Sequence, residues 1–164
     1  VPGKDGSVRV FVPMGNPSAD DSGHQQPPPL DARADGLVTK IDGRQFLVVF
    51  PPAYSLMKNR DRDQEADGPG KADLEGTISE ALVEETGLAD SVKASELKLA
   101  AIVEISSPKS KAGSGRVRHS MGSLEAGIAA AVVAQSRNRA VSIESEQDLE
   151  KGRRRKVTLA IHGA

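Results

Sequence analysis

The sequence predicts a single α/β domain, in which a mixed β-sheet is flanked by helices, with an N-terminal strand and Pro-rich extension over residues 1–35 leading into the domain proper at 36–164. Three observations predict it. The chain of 164 residues is long enough for one domain with a core and too short for two. Short runs rich in Val, Ile and Phe, at Val8–Val12, Leu37–Ile41, Gln45–Phe50, Leu99–Ile105, Ala140–Ile143 and Val157–Ile161, have the size and composition of strands. Two stretches, Gly76–Leu88 and Ser123–Ser136, carry helical patterning.

Composition narrows the function classes. The core must be aliphatic, because the chain has no Trp, a single Tyr (Tyr54) and only Phe11, Phe46 and Phe50. With 22 Lys and Arg against 23 Asp and Glu, no global field favours nucleic acid or an anionic membrane. Few aromatics also leave little for base stacking. No cysteine means no disulfide framework and no thiolate zinc site. His24, His119 and His162 are too far apart in sequence to suggest a transition-metal motif. The most apolar run, Gly127–Ala134, is too short to span a bilayer, and the N-terminus lacks signal-peptide features, so a cytoplasmic location is expected. A chain starting at Val1 reads as processed or truncated.

In chain order, Val8–Val12 is the opening strand. Pro13–Asp35, with Pro13, Pro17 and the run Pro27–Pro28–Pro29, reads as an extended linker. Asp42-Gly43 between two apolar runs is a hairpin signal, since a type I′ turn needs positive φ at its centre. The second run, F-L-V-V-F, is apolar throughout and is expected to be buried on both faces. Lys58–Gly70 reads as a charged loop, and G-P-G-K within Gly68–Lys71 lacks P-loop spacing.

Gly76–Leu88 is expected to be one short acidic helix. Thr77 and Glu80 have the spacing of a capping box, and Gly87 that of a left-handed stop with Leu88 folding back. At about 100° per residue, Ile78, Ala81, Leu82 and Glu85 share the core side and Glu80 with Glu84 the adjacent side. Two carboxylates in the last turn oppose the helix dipole, and a bound divalent cation would reverse that penalty.

Leu82, Glu84, Glu85, Gly87 and Leu88 resemble the tail of the Nudix box, G-x5-E-x7-R-E-U-x-E-E-x-G-U, with U aliphatic. The pattern's Arg-Glu pair falls on Glu80 and Ala81. Its earlier Gly and Glu fall on Ala66 and Ala72 without a gap, or on Gly70 and Gly76 with one. The resemblance implies a Nudix-like α/β/α sandwich and metal-assisted hydrolysis of a pyrophosphate bond in a small molecule such as ADP-ribose. Glu84 and Glu85 would be catalytic. Together with Glu80, which stands in for the carboxylate absent at Ala81, they would hold Mg2+ or Mn2+, while Arg60, Arg62 or Lys71 would meet substrate phosphates. The alternative is a non-catalytic Nudix-like module that binds a nucleotide or a protein. Homodimerisation is left open.

Beyond the acidic helix, Ser91–Lys98 reads as a short helix or turn and Ser106–Gly115 as a loop. Arg118-His119-Ser120-Met121-Gly122 is similar to the nucleophile elbow of α/β-hydrolases, with Arg118 at the first glycine position. A serine esterase built on Ser120 would need His162 and one of Glu144, Glu146, Asp148 or Glu150. Ser123–Ser136 is the longest helix, small-faced, with Glu125 as its one acid, and is expected on the opposite side of the sheet from the acidic helix. The acidic stretch Glu144–Glu150 and the basic block Lys151–Lys156 most simply neutralise each other across a turn.

Overall fold

The computed structural model describes residues 8–14, 37–41, 43–51, 73–110 and 122–162, within which the chain is an α+β fold of two antiparallel sheets and two helices. Arg60, Arg62, Lys71 and Ser120, the Pro-rich linker and the charged loop lie outside the described residues.

In the first sheet β1 (Val10–Met14) and β2 (Val38–Ile41) pair on either side of β3 (Arg44–Val49). Ile41 pairs with Arg44, and Gly43 has φ +82°, the backbone that the Asp-Gly hairpin requires. The expected burial of β3 on both faces is not what forms. Phe46 and Val48 are buried, Leu47 and Val49 only partly so, and Phe50 is 54% exposed, so burial alternates along the strand with the strand period of two. The Phe11 ring meets Phe46 edge-on at 6.3 Å.

The second part repeats one unit. Helix α1 (Leu74–Ser79) continues as a π-helix over Glu80–Glu85 and leads into the hairpin of β4 (Ser91–Leu97) and β5 (Ala100–Ser106). Helix α2 (Leu124–Arg137) leads into the hairpin of β6 (Val141–Leu149) and β7 (Arg154–Ile161). The four strands form an antiparallel sheet in the order β4-β5-β7-β6. β4, read from sequence as a helix or turn, is a strand because its whole length pairs with β5, putting Val92 inward and Lys93 and Ser95 outward.

One face of this sheet makes the core. Val92, Ala101, Val103, Ile105, Val157, Leu159 and Ile161 meet Ile78, Ala81 and Leu82 of the first helix and Ala126, Ile128, Ala129, Val132 and Val133 of the second in a single cluster. Each fully buried Ile or Leu here removes enough apolar surface to contribute about 1.5–3 kcal/mol. Both described helices therefore lie on the same face, not on opposite sides as the sequence reading expected. The reason is the strand alternation. The other face carries Lys93, Ser95, Glu104, Lys156 and Thr158, polar side chains that do not need an apolar layer over them, and among the described residues no helix packs there.

Helix ends are local. Ser123 caps α2, its Oγ accepting from the Ala126 N–H at 3.2 Å, and Asn138 closes the helix in the left-handed region. The capping box expected at Thr77 and Glu80 does not form. The helix starts one turn earlier, so Thr77 is interior and its Oγ1 donates to the Asp73 carbonyl at 2.9 Å. The expected stop does form: Gly87 has φ +60°, and the Leu88 and Ala89 N–H groups both donate to the Leu82 carbonyl. Among the described residues no helix is long and apolar enough to cross a membrane.

Candidate functional site

The acidic helix presents Glu80, Glu84 and Glu85 to solvent, while Ala81 (2% exposed) and Leu82 (0%) are core. An α-helix would have placed Glu85 about 140° from Glu80 and beside Ala81. The π-helix, with i→i+5 bonds and roughly 80° per residue, brings Glu85 to within about 50° of Glu80, with Glu84 just to the other side. Glu85 therefore sits with the other acids, which corrects its expected place on the core side. Thr86 stabilises this winding, its Oγ1 reaching the carbonyls of Ala81 at 2.8 Å and Leu82 at 3.2 Å. The three carboxylates share a stripe, yet among the described residues no three acids or histidines are gathered closely enough to hold a metal ion.

A second polar centre, not anticipated from sequence, lies inside the fold. Arg155 is 2% exposed and Glu125 0%. Arg155 Nε donates to Asp148 Oδ1 at 2.7 Å and faces Glu146 Oε1 at 3.1 Å, while Nη1 donates to Glu125 Oε2 at 2.9 Å and to Ser110 Oγ at 3.1 Å. Glu125 also accepts from the Ser110 N–H at 2.8 Å and from the Ser110 hydroxyl. Glu146 accepts from the Ser123 N–H at 2.8 Å, so it holds the entrance of α2. Gly122 is required beside it: φ is +73°, and an added Cβ would stand 2.8 Å from Ile143 Cδ1 and 3.4 Å from Glu146 Oε2.

The acidic and basic blocks do neutralise each other across the β6–β7 turn. Asp148 pairs directly opposite Arg155, and Arg154 bonds Glu150 at 3.0 Å and Glu104 at 2.6 Å. Chemically the centre is a clamp. It ties Ser110, the α2 N-terminus and the β6–β7 hairpin to one buried guanidinium through its Nε and Nη1 donors, with Nη2 at 3.5 Å from the Ser110 carbonyl. A sequence signal existed, since stepping the alternation Ile161, Leu159, Val157 back by one lands Arg155 on the core face.

A third arrangement involves His162. Its Nε2 lies 2.8 Å from Ser142 Oγ, and its N–H donates to the Ala140 carbonyl. Burial holds this imidazole below its ordinary value, and the charge of Glu144 opposes that shift more weakly. Among the described residues it is Ser142 whose hydroxyl meets His162; Ser120 of the elbow-like motif lies outside them.

No protein-family model matches the chain, and no match is found among curated proteins or solved structures.

Proposed function

We propose that the acidic helix is a non-catalytic binding surface, whose solvent side, with Glu80, Glu84 and Glu85, holds a cationic segment of a partner protein. The observation that supports this reading is Ala81. At the position where the Nudix pattern has a glutamate it is a core residue, so that position is turned away from the acidic face. The remaining carboxylates form an exposed stripe suited to lysine or arginine side chains. Exposed pairs contribute about 0.2–1 kcal/mol each, so binding is weak and screened by salt. Titration with a lysine-rich peptide, followed by amide chemical shifts, tests it. The expected perturbations map to residues 80–86, weaken at high salt and vanish in the Glu80→Gln/Glu84→Gln/Glu85→Gln variant. Shifts elsewhere, or none, refute it.

A second reading is favoured by the π-winding, which brings all three carboxylates to one side. On it, Glu84 and Glu85 with Glu80 serve a Mg2+- or Mn2+-dependent hydrolysis of a pyrophosphate-containing small molecule, within the Nudix-like sandwich implied by the motif. Phosphorus NMR of ADP-ribose incubated with the protein and Mn2+ decides it. Turnover that Glu84→Gln and Glu85→Gln each remove establishes hydrolysis and overturns the binding-only reading.

A further inference from the structure

We infer that Ser142 and His162 form a reactive-serine site for acyl donors carrying an apolar acyl group, on the outer face of the second sheet. Alternation brings the two together. Ser142 pairs with Ala160, and His162 lies two residues beyond Ala160 on the same strand face. Their 2.8 Å contact is the distance over which an imidazole takes a hydroxyl proton.

The surroundings fit that task. Burial keeps His162 neutral at pH 7, so in the tautomer with its proton on Nδ1 the Nε2 atom accepts from Ser142. Glu144 sits where the β6–β7 register slips between Ile143 and Ser145. Its charge acts on His162 in the direction that stabilises an imidazolium. Ser142 and His162 are both half-buried, so a small molecule can reach them.

The substrate class follows from the cross-strand row. Ser142, Ala160, Ala100 and Leu97 stand side by side across the four strands. The two alanines leave a shallow floor, and the row ends at Leu97, 58% exposed, beside Leu99, 55% exposed. With strands about 4.8 Å apart, Leu97 lies about 14 Å from Ser142, a span that an alkyl chain laid across the sheet covers. In the acylation step Ser142 Oγ forms a bond to the acyl carbon and the bond to the departing alkoxide breaks. The hydroxyl proton passes to His162 Nε2 and from there to the leaving alcohol. Water then releases the acid by the same path.

The test is labelling of the whole chain with an alkyl fluorophosphonate, read by intact mass and peptide mapping. Ser142 Oγ bonds to phosphorus, fluoride leaves, and the proton goes to His162. The expected result is a dominant adduct on Ser142. Its rate should rise with pH through the titration of His162 and fall about a hundredfold in His162→Gln, with far-UV circular dichroism confirming that the variant is folded. A dominant adduct on any other residue, no adduct, or a Ser142 rate unchanged by His162→Gln overturns the inference. The pH profile of the unaltered chain tests it without a variant: a rate that does not fall as pH is lowered below 6.5 across the range in which the chain stays folded also overturns it.

Discussion

Replacing Arg155 by Met should be the most damaging single change among those that touch the buried clamp. Met approximates the aliphatic volume of Arg, so packing is largely kept while the guanidinium is removed. What remains is Glu125 at 0% exposure, whose other partners among the described residues are the Ser110 N–H and hydroxyl, next to Glu146 and Asp148. Breaking a buried pair from one side costs about 3–5 kcal/mol. Glu146 and Asp148, at 10% and 26% side-chain exposure, can regain water, so the lower end applies, about 3 kcal/mol. Domains of this size are stable by only about 5–15 kcal/mol, so the loss is large.

Two companion variants separate charge from packing. Glu125→Gln keeps hydrogen-bonding atoms near Ser110 and leaves Arg155 with two carboxylates, so it should cost about 1 kcal/mol. Arg155→Met/Glu125→Leu removes both charges and should recover about 2 kcal/mol relative to the sum of the Arg155→Met and Glu125→Leu single variants. Urea unfolding followed by far-UV circular dichroism measures all of these, with the slopes compared to exclude denatured-state effects. If Arg155→Met falls within about 1 kcal/mol of the unaltered chain, or the double variant shows simple additivity, the clamp does not hold the fold as argued.

Other predictions concern neighbouring features. Gly122→Ala should destabilise by about 1–2 kcal/mol: the Ile143 methyl can swing aside, but φ of +73° remains costly for any residue with a Cβ, and an unchanged thermal midpoint would refute this. The pH dependence of stability should contain a His162 component. Because its folded value is depressed, the unfolded chain binds the proton more readily. The contribution is therefore present above the ordinary value of 6.5 and is lost as pH falls through the lower folded value. Melts of the unaltered chain and His162→Gln should converge on acidification, and parallel curves would count against the assignment. Glu96, held below the usual carboxylate range by its hydrogen bond to Arg137, should add a further loss below the ordinary 4.5. That pair is surface-exposed in part, so Glu96→Gln should shift stability by no more than about 1 kcal/mol.

The features legible in the sequence were those fixed by near neighbours. Asp42-Gly43 specified its hairpin because only certain residues tolerate positive φ, Gly87 specified a helix stop for the same reason, and Ser123 specified a helix start through a bond three residues away. The exposure of Glu80 and Glu84 followed from helical spacing. β4 was not legible: S-V-K-A-S-E-L has weak strand propensity, and only the ladder to β5 decides its state.

Helix winding and the choice of face depended on tertiary structure. A change of about 20° per residue between α- and π-geometry moved Glu85 from the core side to solvent, and no local residue pattern specifies that change. The clamp joins Ser110, Glu125, Glu146, Asp148 and Arg155, separated by up to 45 residues, and the Ser142–His162 contact spans 20. By itself the sequence determined which short segments prefer to be helix, strand or turn, because those preferences act over a few bonds. Which carboxylate is buried, which histidine meets which serine and which face the helices cover were decided by the tertiary structure, because strand register and the shared core set those distances.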